Sequence, residues 1–583
     1  VPVIDRFAHA MPFGAEMRAD GTAFRLWAPS RGGARVVVDG VEHALAQREG
    51  GWFERVVPGV RPGARYAFVF PDLPYRVPDP AARFQPDGVH APSAVVDPRA
   101  YTWREPGWRG RPWHEIVLYE LHVGTFTPAG TYVAATEKLD ALVTLGVTAI
   151  ELMPLAQPAG TRNWGYDGVL PFAPQHAYGT PDDLKGLIDA AHARGLCVFL
   201  DVVDNHFGPE GNYLHAIADA FFTERHRTPW GAAIDVEGLL SPTVREFFVH
   251  NALFWLSEYR FDGLRFDAVH EIHDDSPRPF LDELAARIRA GVETDRQVHL
   301  VLENDANAAR FLDRYDAQWN DDAHHAFHVL ATGERDGYYA DYADDPARHL
   351  ARALAEGFAY QGEASAFRGG APRGEPSAQL PATAFVDFLQ NHDQIGNRAF
   401  GERLSALAPP LAVQAEAAIL LLAPAIPLLF MGQEWAASTP FLFFTDFGPE
   451  LGPTVTEGRR REFAAWSHFA DPATRERIPD PQDPATMQAS TLRWGERTQA
   501  AHAAALALHG ELLALRAEAI LPHLARGAFG AGWEVLDPRT LRVRWRFGDG
   551  AQLVLTARID GARSAVRWEL DGAPLFALGE NPV

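Results

Sequence analysis

Hydrophobic and polar positions alternate in short runs over the first hundred residues. Residues 24–28, 34–38, 52–57 and 64–70 are rich in β-branched and aromatic side chains. Gly32-Gly33, Gly50-Gly51 and Pro58-Gly59 separate them. Runs of this period and length are half-buried strands, and the Gly and Pro pairs are turns. They predict a small immunoglobulin-like β-sandwich. Residues 71–112, rich in Pro, Arg and Trp, form a connection to the next unit, so the first domain is expected over 1–109.

From residue 116 the rhythm changes. Eight largely apolar runs recur at 116–122, 147–152, 196–203, 263–267, 298–303, 316–319, 384–389 and 426–431. Strands covered on both faces have this composition. Helical patterns lie between most of them. The clearest opens at Thr180-Pro181-Asp182-Asp183, where a capping hydroxyl, a first-turn proline and two acids suit the positive end of a helix. It runs to Arg194 and stops at Gly195. Strand–helix alternation repeated eight times predicts a (β/α)8 TIM barrel over 110–518. The most apolar stretch, 417–429, is broken by Pro424 and Pro427, which predicts helix, turn and buried strand and no membrane span. An Ala/Leu-rich helix over 501–517 closes this unit. Strand-like runs at 533–535, 541–547 and 552–557 then predict a small C-terminal all-β domain over 519–583. Residues 369–377 form a short Gly/Pro loop.

Composition narrows the function. The 583 residues are 47% hydrophobic, enough for two or three packed domains. A formal net charge of −23 argues against nucleic acid or an anionic membrane as partner, and suits a neutral substrate. Cys197 is the single cysteine and lies in an apolar run. No intramolecular disulfide can form, which points to a reducing compartment, and the thiol is expected to be a small buried hydrophobe. The opening Val-Pro-Val-Ile-Asp-Arg does not read as a signal peptide. A cytoplasmic location is therefore expected.

Three acids follow β-like runs. Asp267 ends Gly-Leu-Arg-Phe-Asp, Glu303 ends Val-His-Leu-Val-Leu-Glu, and Asp393 ends Phe-Leu-Gln-Asn-His-Asp. Cleaving a glycosidic bond needs a proton donor for the leaving oxygen and a stabiliser for an oxocarbenium-like centre. Carboxylates at the ends of separate barrel strands supply both. Arg265, two residues before Asp267 on one strand, points to the same side and is placed to pair with it. A structural ion pair would look the same. Glu303 at an apolar strand end is expected to have a raised pKa, as a general acid requires; an ordinary strand-end acid is the alternative. His206 and His392 can bind sugar hydroxyls or satisfy their own loops. Tyr166, in Trp164-Gly165-Tyr166-Asp167, can stack on a pyranose face or pack in the core. The acids are scattered, not packed at ligand spacing, so no metal or other cofactor is expected.

Together these blocks resemble the α-amylase superfamily of retaining glycosidases. The hallmarks are DVVDNH (201–206), GLRFDAVH (263–270), VLEND (301–305) and FLQNHD (388–393), with GVTAIELMP (146–154) as a further barrel block. The resemblance implies Asp267 as nucleophile, Glu303 as acid/base and Asp393 as transition-state stabiliser. It places Trp164, Tyr166, Asp167, His206, Arg265, His270, His392 and Gln394 among substrate-binding residues. The superfamily's calcium pattern is not evident here. Gln390 stands where many members carry an acid or a valine. The runs NHFGPEGNYL (205–214), QWNDDAHHAFHVLATGE (318–334), NHDQIGNRAFGERL (391–404) and LFMGQEWAASTPFLFFTDF (429–447) are closer to one branch, the malto-oligosyltrehalose trehalohydrolases. That branch implies hydrolysis of the α-1,4 bond next to a terminal trehalose. It also implies a substrate supplied by a malto-oligosyltrehalose synthase. The second reading is a branching or debranching enzyme acting on α-1,6 links. The third, a catalytically dead glycan-binding protein, predicts a broken triad, and all three acids are present. A loop at 319–325, carrying Asp321, Asp322, His324 and His325 after the sixth strand, is expected to help read the trehalose end.

Overall fold

The computed structural model describes residues 6–465, 469, 471–580 and 582. All eight apolar runs become barrel strands, in chain order β1 (Leu118–Leu121), β2 (Ala149–Leu152), β3 (Cys197–Val202), β4 (Gly263–Phe266), β5 (His299–Leu302), β6 (Ala317–Trp319), β7 (Phe385–Phe388) and β8 (Ile426–Phe430). Each pairs parallel to the next, and β8 pairs with β1 to close the barrel. Every strand residue is buried, because helices cover the outside and side chains fill the inside.

The interior is layered. Leu118, Ala149, Cys197, Phe199, Val301, Ala317, Val386, Ile426 and Leu428 form an apolar floor, with Trp319 and Phe388 above them. The next inward positions along the strands are polar: Glu120, Glu151, Asp201 and Arg265. Period-two alternation thus carries each strand from core to chemistry within a few residues.

The helix opened by Thr180 spans Pro181–His192. Thr180 Oγ1 accepts from the Asp183 N–H at 3.2 Å, and Asp183 Oδ2 accepts from the Thr180 N–H at 2.8 Å. Its Leu184, Leu187, Ile188 and Ala191 face the barrel. Gly195, at φ +74°, turns the chain directly into β3. The 417–429 stretch resolves into a helix, Pro410–Leu422, and then β8.

Two four-stranded sheets form the N-terminal sandwich. Buried Arg83 locks this unit to the barrel, reaching Glu258 at 3.2 Å and Glu16 at 3.1 Å. At the other end a five-stranded antiparallel meander runs from Ala528–Asp537 to Ala573–Leu578. It packs on helices Pro346–Glu356 and Pro410–Leu422, and Trp545 Nε1 donates to the Leu354 carbonyl at 3.0 Å. Its last two strands, Ala565–Leu570 and Ala573–Leu578, are short and interrupted by an Asp571-Gly572 turn, so their pattern was weak in the sequence.

Two expectations are corrected. Residues 319–325 are not a loop: Asn320 caps a helix, Asp321–Thr332, by accepting from the Ala323 N–H at 3.3 Å. The Gly/Pro segment near 369–377 is partly ordered as a ribbon, with Pro372–Arg373 pairing Glu363–Ala364.

Cys197 lies at the barrel floor, and burial pushes its thiol well above the ordinary range. A thiol reagent should therefore modify no cysteine in the native protein and one after denaturation. Rapid native labelling would mean that the floor is open to solvent.

Candidate active site

Three loops at the C-terminal ends of β4, β5 and β7 bring Asp267, Glu303 and Asp393 to one pocket of about 430 Å³. Trp164, Tyr166, His206, His270, Asp321, His325, His392 and Gln394 line it as well.

Arg265 lies beneath and is fully buried. Its Nη1 donates to Asp201 Oδ2 at 2.6 Å and Asp267 Oδ1 at 2.9 Å. Its Nη2 stands 3.1 Å from Glu303 Oε2. Its guanidinium plane sits over the Trp319 ring at 4.1 Å. One planar fork therefore holds both central carboxylates, which a point charge cannot do. Asn205 Nδ2 donates to Asp267 Oδ2 at 2.8 Å, fixing its second oxygen. Ala268 follows at φ +40°, a strained conformation for a residue with a Cβ. That turn aims its N–H at Glu303 Oε2, 2.7 Å away.

Burial raises the Glu303 carboxyl well above its ordinary range, with Arg265 opposing and Asp267 and Asp393 reinforcing the shift. A carboxyl raised by burial beside an Arg-paired carboxylate is the contrast that a general acid and a nucleophile need.

His392 opens a short helix, His392–Gly396, capped by the Asn391 side chain. Its backbone N–H donates to Glu120 Oε2 at 3.0 Å, and its Nδ1 pairs with Glu120 Oε1. Burial disfavours its charge, but Asp393 and Glu120 outweigh burial and raise it to about 9. Tyr166 stacks on this ring at 4.9 Å and donates its hydroxyl to Asp201 Oδ2 at 2.6 Å. Trp164 is mainly a packing residue: it stacks on Phe441 and donates Nε1 to the Leu442 carbonyl at 3.0 Å, leaving an edge on the pocket.

Besides Arg265, which lies beneath the pocket, three expected contact residues do not line it. Asp167 accepts from Asn163 Nδ2 at 2.7 Å and braces its loop. His324 is buried, with Nδ1 against the Leu389 carbonyl at 2.8 Å. Asp322 is wholly buried, paired with Arg373 at 2.7 Å and accepting from the Ala359 and Tyr360 N–H groups. Helical geometry explains this: Asp321 faces the pocket, so the next residue turns about 100° away into the packing. Asp321 is pushed up to about 7 by burial, with Asp305 adding to it.

Other pocket residues escaped the sequence reading. Trp230, half exposed, stacks on His206 at 4.6 Å from a hairpin turn. Tyr338, Asp341, Phe367 and Arg368 come from the segment between β6 and β7. Asp305 carries Arg368 and Arg373, tying that segment to the β5 loop. Period and capping signals do not mark such residues; a tryptophan in the polar turn Arg-Thr-Pro-Trp-Gly was the nearest clue.

Comparison with known proteins places this geometry. Residues 102–229 match the alpha amylase catalytic domain, and 12–73 match carbohydrate-binding module 48, the isoamylase N-terminal domain. A malto-oligosyltrehalose trehalohydrolase of Deinococcus radiodurans is 47% identical over 515 residues, covering 88% of this chain and 82% of that protein. Another, from Saccharolobus solfataricus, is 39% identical over 493 residues, 83% of this chain and 84% of that one. The chain belongs to the malto-oligosyltrehalose trehalohydrolase family. A branching enzyme of Rubrobacter xylanophilus, 36% identical over 278 residues, covers 43% of this chain, so similarity to the trehalohydrolases extends much further. A crystal structure from Salmonella typhimurium bearing an alpha amylase designation has a TM-score of 0.90, 48% identity and coverage of 95% and 94%. A pullulanase of Paenibacillus barengoltzii, with a TM-score of 0.71, 20% identity and coverage of 97% and 90%, shares the fold.

The raised His392 has a consequence for stability in this trehalohydrolase family member. Its folded value, about 9, exceeds the ordinary 6.5, so its contribution is complete below pH 6.5 and is lost as pH rises through about 9. Denaturation midpoints measured across that window should fall in the wild type and fall less in His392→Asn. Equal slopes would show that His392 is not charged in the folded protein.

Proposed function

We propose that the chain hydrolyses the α-1,4-glucosidic bond joining a malto-oligosaccharide to a terminal trehalose, releasing trehalose with retention. The chemistry rests on the single Arg265 guanidinium that holds Asp267 and Glu303 in one layer. Asp267 attacks the anomeric carbon. Glu303 protonates the leaving oxygen and then deprotonates the water that resolves the glycosyl-enzyme. Asp393, beside a cationic His392, stabilises the oxocarbenium-like state. Tyr166, His206 and His392 surround the sugar being cleaved. His270, Asp321 and Gln394, which line the same pocket, are assigned to the side where the trehalose leaves. The trehalose substrate is supported by the naming of the relatives along most of the chain.

The same reading assigns the sandwich to 1–109, the catalytic unit to 110–518 and the β domain to 519–583. It places the protein in the cytoplasm, fed by a malto-oligosyltrehalose synthase. No helix among the described residues is long and apolar enough to cross a membrane.

Asp267→Asn, Glu303→Gln and Asp393→Asn should each fold and lose roughly 10²–10⁴ or more in rate. The first sugar released with a newly formed reducing end should be the α-anomer by proton NMR. Turnover near wild type, or a β-anomer, would contradict the roles. Asp321→Asn should lower kcat/KM for maltopentaosyl-trehalose more than for a malto-oligosaccharide of equal length, because an unmatched polar contact discriminates strongly. Equal losses would remove Asp321 from trehalose recognition.

A further inference from the structure

Glu151 is the one carboxylate of the polar barrel layer with no role in the mechanism above. It points inward from β2 between Glu120 on β1 and Asp201 on β3. It is 1% exposed, and neither of its oxygens has a hydrogen-bond partner. Two acids, Glu120 and Asp201, dominate its surroundings, with Arg265 from β4 and His392 beyond β7 as the opposing cations. Arg265 is committed to Asp201, Asp267 and Glu303. His392 is committed to Glu120 and Asp393. No cation among the described residues hydrogen-bonds Glu151, and an unpaired charge is not retained at such a site.

A second atom nearby lacks a partner. Asp201 Oδ2 accepts from Arg265 and Tyr166, whereas its buried Oδ1 accepts from nothing in the protein. Asp201 lies on the strand next to Glu151, two residues beyond Phe199, which is opposite Glu151, and so on the same inward face. Both Glu120 oxygens are already bound by His392. A single proton on Glu151, donated to Asp201 Oδ1, removes the unpaired charge and gives that Asp201 oxygen a donor.

We propose that Glu151 is a positioning residue that remains a neutral carboxylic acid and donates its proton to Asp201 Oδ1. It acts through Asp201, which holds Tyr166 and the Arg265 fork beneath Asp267 and Glu303. The direction of burial and charge agrees: burial, then Glu120 and Asp201, push the Glu151 carboxyl well above its ordinary range. Asp201 itself is raised to about 7 by burial despite Arg265, so a donor on its free oxygen keeps it ionised at working pH.

The kinetic consequence rests on the activity proposed above; the protonation state does not. Infrared difference spectra between wild type and Glu151→Gln, at neutral pH and without substrate, should show a protonated-carboxyl C=O band in the wild type that the variant lacks. In kcat/KM–pH profiles, Glu151→Gln should keep the wild-type lower limb, because its amide still donates. Glu151→Met, of similar volume and without a donor, should move that limb up by roughly one to two pH units, the size expected for one lost hydrogen bond to a charge. Absence of the C=O band overturns the proposal. So does a Glu151→Met profile that matches wild type, or a Glu151→Gln profile that shifts as Glu151→Met does. If neither the wild type nor any variant cleaves the trehalose-capped substrate, the functional reading fails, and the infrared result still decides the state of Glu151.

Discussion

One guanidinium carries the site. Arg265 is buried at the centre of the barrel, where an unpaired charge would cost several kcal/mol. It is tolerated because three carboxylates and an indole face surround it. The converse also holds. Without Arg265, Asp201, Asp267 and Glu303 would be acids in a low-dielectric layer with no cation paired to them, and breaking such buried pairs typically costs about 3–5 kcal/mol. Stability and site geometry are thus coupled through one side chain: the contact that makes the polar layer foldable also sets Asp267 beside Glu303.

The layer works because a dry floor lies under it. Phe199, Val301, Phe388 and Leu428 fill the lower barrel, so the polar groups above meet water only from the pocket side. Burial then has different effects on chemically similar groups. Glu303 is driven toward its neutral acid form, while His392 is kept cationic by two adjacent acids. The contrast arises from which neighbours each strand end supplies.

The barrel was legible in the sequence because its strands are buried on both faces and therefore nearly all apolar. The Thr180 cap was legible because capping is local chemistry. Asp267, Glu303 and Asp393 stood out because each follows a short β-like run at the start of a polar loop. Asp322 and His324 were misread for a physical reason: once 321–332 is a helix, adjacent residues cannot share a face, and only Asp321 and His325 reach the pocket. Phe367, Arg368 and Trp230 were invisible because their placement depends on long-range contacts, such as Asp305 with Arg368 and Arg373, that no local period encodes. The last two strands of the C-terminal meander, Ala565–Leu570 inside the sheet and Ala573–Leu578 at its edge, were missed because each is short and its partners lie across turns.

The most direct test of this account is the steady-state activity and fold of Arg265→Lys. Lysine keeps the positive charge but lacks the planar fork that spans Asp201, Asp267 and Glu303. The account predicts a folded protein whose kcat/KM falls by orders of magnitude, roughly 10²-fold or more, because a misaligned nucleophile and acid lose the advantage of orientation. A folded Arg265→Lys variant with activity near wild type would show that charge alone suffices and that the shared guanidinium is not what organises the site.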